Sequence, residues 1–351
     1  MRFSLLRRTV LARTVLAAAL FAVVSAPAHA ADRQLEIEWI DVLGGAATLI
    51  VTPAGESILV DTGWPGFDGR DAKRIKATLD RHGLTAIDHL IITHYHTDHY
   101  GGVAQLAAVV PIRKFYDHGP MTALPEDRNF AQMYGAYRAA AKDTTTALKP
   151  GDTITLKQGS GPKLSLTVVA SGGEVIAGAS TTPNPACAAA VAQPEDTTDN
   201  RRSVAFILRY GAFDFFDAGD LTGDVEAQLA CPADRVGAVD LYQVTHHGQA
   251  NSNNPVLLAT LKPTAAVMNN GPRKGGAAET VQRLKALPSL KGLFALHKNV
   301  ATGPEVNAAP ENTANDAPDS GHGLRAAVDA SGTSFTITNP RTNEAKKFSA
   351  Q

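Results

Sequence analysis

Apolar runs and polar breaks divide the chain into two strand-rich blocks, each interleaved with helical segments. In the first block, Leu35 to Val42 and Ala46 to Thr52 read as strands joined at Leu43-Gly44-Gly45, with a third strand from Ser57 to Val60 after the turn Pro53-Ala54-Gly55. From Asp71 to Arg81, Ile75 and Leu79 stand four apart among charges, the pattern of an exposed amphipathic helix. The apolar run Ile87 to Ile92 predicts a buried strand. Gly102 to Val110 and Asn129 to Lys142 then read as helices, and Ile112 to Tyr116, Thr153 to Leu156 and Leu164 to Val169 as strands.

The second block repeats the rhythm. Strands are expected at Val204 to Tyr210, Phe213 to Phe216, Asp240 to Val244, Ala265 to Met268 and Leu293 to Leu296, with helices near Asp224 to Leu229 and Ala277 to Leu287. A loop insertion separates the blocks around residues 171–200, a polar loop follows at 301–323, and a C-terminal hairpin over 324–348 turns at Ser331-Gly332. Two such blocks predict an α/β fold in which two mixed sheets pack face to face with helices outside.

The ends and the composition add a location. Arg2, Arg7, Arg8 and Arg13 precede the apolar stretch Val15 to Val24, and Ala28-His29-Ala30 has the small-x-small form of a cleavage site, so residues 1–30 read as a signal peptide. Cleavage near Ala30 leaves residues 31–351 as a single domain without a membrane span, secreted or periplasmic. The leader carries four arginines and no acid, so its loss takes the formal charge from −1 to −5. That balance offers no strong nucleic-acid-binding signature. Cys187 and Cys231, in loop-like surroundings and outside any zinc-ligand spacing, suggest one disulfide in an oxidising compartment.

The chemistry concentrates at Thr93-His94-Tyr95-His96-Thr97-Asp98-His99, on a loop between the buried strand and the helix after Gly101-Gly102. No packing requirement explains three imidazoles and a carboxylate within six residues. Neutral imidazole and carboxylate are ligands that zinc accepts, so His94, His96, Asp98 and His99 are candidate metal ligands. Two later strand ends carry side chains of the same kind: Asp220, after Phe215 to Ala218, and the pair His246-His247, after Tyr242 to Val244. His246 repeats the strand-Thr-His arrangement of Thr93-His94 and is taken as the ligand, His247 as a supporting donor or proton carrier. Arg273 and Lys274 read as a solvated charge pair, with an anionic substrate as the competing role.

This set resembles the metallo-β-lactamase fold superfamily in its pattern of His-x-His-x-Asp-His, an upstream Asp, a later bridging Asp and a final His. The matching residues are His94, His96, Asp98, His99, Asp61, Asp220 and His246, within a stretch from Leu35 to Leu296. Asn200-Arg201-Arg202-Ser203-Val204, Gly219-Asp220 and Thr245-His246-His247-Gly248 are similar, more narrowly, to the hydrolase domain of ComEC-type competence proteins and their stand-alone exported relatives. The resemblance implies an αββα sandwich of the metallo-β-lactamase type, with zinc as cofactor, two ions in all, and manganese or iron as alternatives. Asp98, His99, His246 and bridging Asp220 would serve one ion, and His94, His96 and Asp220 the other. Asp61 would brace the metal loop. The chain departs from the family where a third imidazole for the second ion is expected: Asp199-Asn200 stands there, leaving Asn200, a water or His118 as possible additional ligands. It also has Asn269 to Gly276 where the ComEC-type pattern carries His-Pro.

The implied activity is metal-dependent hydrolysis. A divalent ion lowers the pKa of bound water to about 7, and the resulting hydroxide would attack, oriented by Asp98, with His247 protonating the leaving group. A phosphodiester is the favoured substrate. A small-molecule lactone, β-lactam or thioester is the alternative, and a non-catalytic metal-binding or interaction protein is a reading of another class.

Overall fold

The computed structural model describes Met1 and residues 33–178, 182–317 and 319–351; Met1 aside, the expected leader lies outside the described residues. Among the described residues, one sheet is built from β1 (Leu35–Trp39), β2 (Thr48–Val51), β3 (Ser57–Val60), β4 (His89–Ile91), β5 (Phe115–Asp117) and β6 (Thr145–Ala147). A second contains β7 (Thr153–Ile154), β8 (Leu164–Ser171), β9 (Glu174–Val175), β10 (Ala205–Tyr210), β11 (Phe213–Asp217), β12 (Leu241–Gln243), β13 (Ala265–Met268), β14 (Gly292–His297) and β15 (Thr313–Asn315). The last strands, β16 (Leu324–Val328), β17 (Ser334–Asn339) and β18 (Glu344–Ser349), return to the first sheet, whose order is β18-β17-β16-β1-β2-β3-β4-β5-β6. The second runs β15-β14-β13-β12-β11-β10-β8-β7, with β9 beside β8.

Strand alternation builds the layers. In β2, Ile50 faces the other sheet while Leu49 and Val51 face the layer of helices α1 (Arg70–Arg81), α2 (Thr97–Tyr100), α3 (Val103–Ala107) and α4 (Phe130–Ala140). In β13, Ala265 and Val267 turn into the space between the sheets, whereas Ala266 and Met268 meet the layer of α5 (Gly223–Ala230), α6 (Pro255–Leu261) and α7 (Ala278–Lys285). The architecture is therefore helix, sheet, sheet, helix. The stripe expected on α1 is there, with Ala72, Ile75 and Leu79 buried. No helix among the described residues is long and apolar enough to cross a membrane.

Three differences from the pattern reading have simple causes. The expected C-terminal hairpin is a three-stranded meander, because β18 (Glu344–Ser349) buries only Phe348 and otherwise reads as a charged edge. The apolar residues of α6 escaped notice because the helix is only seven residues long and starts at a proline. The insertion at 171–200 is partly ordered: β9 pairs with β8, and the Cys187–Cys231 disulfide joins the loop to the C-terminus of α5, with a Cα separation of 5.8 Å.

Strand direction positions the site. β3 pairs with β4 in parallel, as β11 does with β12, so Asp61, the metal loop, Asp220 and the His246-His247 turn all follow the carboxyl ends of parallel strands. Loops beyond such ends can converge because the strands bring them to one edge.

Candidate metal centre

Asp61 follows β3 at a positive φ of 60°, which turns its carboxylate toward the neighbouring strand end. Its Oδ1 accepts the Thr93 backbone N–H at 2.8 Å, and its Oδ2 accepts the Thr93 hydroxyl at 2.7 Å and meets His99 Nδ1 at 2.7 Å. The bond to the carboxylate puts the His99 proton on Nδ1 and leaves Nε2 as a lone pair. The loop that carries four candidate ligands is thus tied down from the strand beside it.

Around His99 Nε2 lie Asp98 Oδ2 at 3.2 Å, Asp220 Oδ2 at 3.2 Å and His247 Nε2 at 3.2 Å. His247 Nε2 is itself 3.1 Å from Asp98 Oδ2 and 3.3 Å from Asp220 Oδ2. One ligand atom from each of the four residues lies within 4.8 Å of the others, and all four residues are buried. His247 Nδ1 is 3.2 Å from the Asn269 carbonyl, which orients its ring and again leaves Nε2 free. His246 sits to one side, with Nε2 at 3.5 Å from Asp220 Oδ2 and 3.4 Å from Asn200 Nδ2. The reading of the pair from sequence placed His246 in this cluster; the structure brings His247 there instead. Both histidines adopt left-handed φ, 56° and 53°, and such a turn defeats any inference from strand alternation.

The charges interlock. Burial would raise the pKa of Asp98, but His99 and Lys274 outweigh it and hold that carboxyl well below its usual range. Asp220 is held down in the same way against burial, by His247, His99 and His246. Burial would lower the pKa of His99, yet Asp220, Asp98 and Asp61 push it well above the usual imidazole value. Burial pushes the nearby Asp217 up to about 7, and its Oδ1 accepts the Gly219 backbone N–H at 3.0 Å. Lys274, read from sequence as solvated, instead places its ammonium on Asp98 Oδ2 and lies 5.1 Å from the centre of the Trp64 ring. Its loop is drawn in at Gly275, where a Cβ would lie 2.1 Å from the His247 carbonyl oxygen.

The remaining candidates divide. His94 is fully buried, and its Nε2 has no hydrogen-bond partner among the described residues. His96 is turned toward Glu126, at 3.3 Å. His118 is not brought to the cluster: its Nε2 meets Asp199 Oδ2 at 3.1 Å, and the same oxygen accepts the Tyr95 backbone N–H at 2.7 Å. Asp199 is therefore a second brace on the metal loop, missed in the sequence because its partners lie far away in the chain. Glu126, whose partners His96 and Asp199 lie 30 and 73 positions away, was missed for the same reason.

The residues fit a divalent cation. Four buried ligand atoms converge, two of them carboxylate oxygens and two imidazole nitrogens whose opposite edges are hydrogen-bonded, and the orphaned Nε2 of His94 adds an unspent lone pair beside them.

Residues 40–190 match the family model described as the Metallo-beta-lactamase superfamily. The chain is 25% identical over 245 residues to "Recombination protein 2" of Haemophilus influenzae, an alignment covering 67% of this chain and 24% of that protein. It is 38% identical over 117 residues to "Thioesterase pkgB" of Emericella nidulans, covering 32% and 31% of the two. The chain thus spans a quarter to a third of the length of these curated relatives. Among solved structures, the metallo-beta-lactamase fold protein YhfI from Bacillus subtilis matches over 74% of this chain and 95% of its own, with 14% identity and a TM-score of 0.43.

Proposed function

We propose that the chain is an exported, metal-dependent hydrolase of an anionic ester, with a small phosphodiester as the favoured substrate. The observation that carries this reading is a lysine ammonium set against a buried carboxylate and imidazole cluster. Asp98, His99, Asp220 and His247 would hold one zinc ion, and His94 and His96 contribute to a second; manganese or iron would suit the same oxygen and nitrogen donors. When bound, such ions supply a water acidic enough to act as nucleophile at neutral pH and polarise the bond to be broken.

The protein's own residues orient and neutralise. Asp61 fixes the His99 ring through Nδ1, and Asn269 fixes the His247 ring through its carbonyl. With its Nε2 among the ligand atoms and its Nδ1 on a carbonyl, His247 is a ligand in this reading and not the proton carrier. Asp98 orients the nucleophile through the oxygen it turns into the cluster. Lys274, itself partly exposed, presents a compact positive charge beside Asp98, where it can meet the non-reacting oxygens of an anionic substrate. Similarity to a protein named for recombination supports phosphodiester chemistry, while the formal charge of −5 after leader removal favours small substrates over duplex DNA. The Cys187–Cys231 bond supports export to an oxidising compartment.

A second reading, hydrolysis of a thioester, draws support from the similarity to a thioesterase. The two part on a substrate panel: metal-loaded protein should turn over bis-p-nitrophenyl phosphate, and Lys274→Ala should raise its KM by roughly 10- to 100-fold, the value of a charge-assisted contact. Turnover of a thioester or lactone without the phosphodiester would overturn the favoured substrate. Metal-loaded protein inert on phosphodiester, thioester, lactone and cephalosporin would favour a metal-binding protein without catalysis.

A further inference from the structure

The family pattern leaves the second ion short of an imidazole, and the turn at His246-His247 suggests where this chain finds one. Ser252 Oγ donates its proton to the Leu221 carbonyl at 2.8 Å, so toward His246 Nδ1, at 3.0 Å, it can only accept. His246 therefore carries its proton on Nδ1 and a lone pair on Nε2, the atom that faces Asp220 Oδ2 at 3.5 Å. His94 obeys the same logic. Thr93 Oγ1 donates to Asp61 Oδ2 at 2.7 Å and so accepts from His94 Nδ1 at 3.1 Å, leaving the buried His94 Nε2 as a lone pair without a partner among the described residues. Asn200 adds a second unspent acceptor: its Nδ2 lies 3.4 Å from His246 Nε2, to which it can donate, and its Oδ1 is buried with no partner among the described residues.

Two buried acceptors with nothing to accept from among the described residues, His94 Nε2 and Asn200 Oδ1, are costly unless a cation meets them. They belong to residues on the His94 and His246 sides of the centre, apart from the group formed by Asp98, His99, Asp220 and His247. The two consecutive histidines are parted by the left-handed turn, with ring centres 6.3 Å apart and planes at 63°.

We propose that His246 is the missing third imidazole of the second metal position, completing His94 and His96 opposite Asp220, with the Asn200 carbonyl oxygen as an adjoining ligand, while His247 serves the first position. Adjacent residues of one turn thus divide between two ions. The inference rests on the metal-dependent reading above and deepens it.

Its test is stoichiometry, which is independent of turnover. Chelator-stripped full chain is saturated with Zn²⁺, desalted and analysed by inductively coupled plasma mass spectrometry. The wild type should retain two ions per chain, and His246→Ala and His94→Ala one each. The double variant His94→Ala/His246→Ala should still retain one, since both residues serve the same position, whereas His246→Ala/His247→Ala should retain none. Two ions in His246→Ala, fewer than two in the wild type, or none in His94→Ala/His246→Ala would overturn the assignment. Should the variants fail to fold, ¹¹³Cd and ¹⁵N spectra of the loaded wild type decide: His246 and His247 must couple to different cadmium resonances, and coupling to the same one refutes the proposal. Inactivity toward phosphodiesters with these stoichiometries intact would count against the proposed substrate and leave the ligand assignment standing.

Discussion

Glu226, inside α5, is fully buried; its Oε2 accepts the Asn254 backbone N–H at 2.7 Å while its Oε1 has no hydrogen-bond partner among the described residues. Burial raises its pKa more than the Asn254 and Asn253 N–H groups and Thr245 lower it, and the carboxyl is pushed up to about 7 from its ordinary 4.5. The sign follows from where the proton sits. Below the ordinary value both states hold it, whereas between that value and about 7 the unfolded chain has released it and the folded protein has not, so stability falls as pH rises. At about 1.4 kcal/mol per pH unit the window costs the wild type about 3 kcal/mol. Glu226→Gln has no proton to lose. Whatever its own packing cost, the stability of Glu226→Gln relative to wild type should therefore rise by about 3 kcal/mol from about pH 4.5 to about pH 8, flattening above about 7. Urea unfolding of both proteins in chelator across that range measures the difference directly. A difference that stays flat, or that falls with pH, would mean that Glu226 is ionised in the fold and that the reasoning from burial is wrong.

Asp61→Ala removes the acceptor of Thr93 and of His99 Nδ1. It should cost about 3 kcal/mol in denaturant unfolding, as expected when a buried charged network loses one member, and weaken zinc roughly 10- to 100-fold by competition with a chromophoric chelator. Replacing both cysteines, Cys187→Ala with Cys231→Ala, frees a loop spanning 44 residues of sequence. Chain entropy puts the loss at about 4 kcal/mol, and unchanged unfolding free energy would show that the insertion is held by its packing alone. Gly275→Ala forces a Cβ onto the His247 carbonyl at a φ of +77°. It should lower kcat/KM for the anionic substrate together with stability, by roughly 1–3 kcal/mol in unfolding, and an active variant of normal stability would refute the tight approach of the Lys274 loop.

How much of the centre is legible in sequence depends on how local each part is. His94 to His99 announce themselves, because three imidazoles and a carboxylate in one short loop have no other ready explanation. Asp220 and the His246-His247 pair can be flagged as strand-end residues of the right type. Which of the two histidines joins Asp98 and His99 could not be read, because the answer lies in two left-handed φ angles that no periodicity encodes. The braces Asp199 and Ser252 were equally hidden. Asp199 acts on Tyr95 across 104 positions, and Ser252 orients His246 Nδ1 only because its own proton is taken by the Leu221 carbonyl, 31 positions away. Lys274 was misread for a related reason, since a lysine beside an arginine at a helix start looks solvated until its loop is seen pressed against His247.

The alternation of apolar residues, by itself, determined the α/β class, the two sheets with helices outside and the dense ligand loop, because side-chain periodicity and ligand chemistry are properties of neighbours along the chain. Tertiary structure alone decided the place of β18 at the sheet edge, the choice of His247 over His246 for the first cluster, and the ammonium of Lys274 on Asp98. These are contacts between residues far apart in sequence. Their energies depend on burial and on the direction in which each side chain leaves the backbone, and both come into existence only when the sheets close on one another.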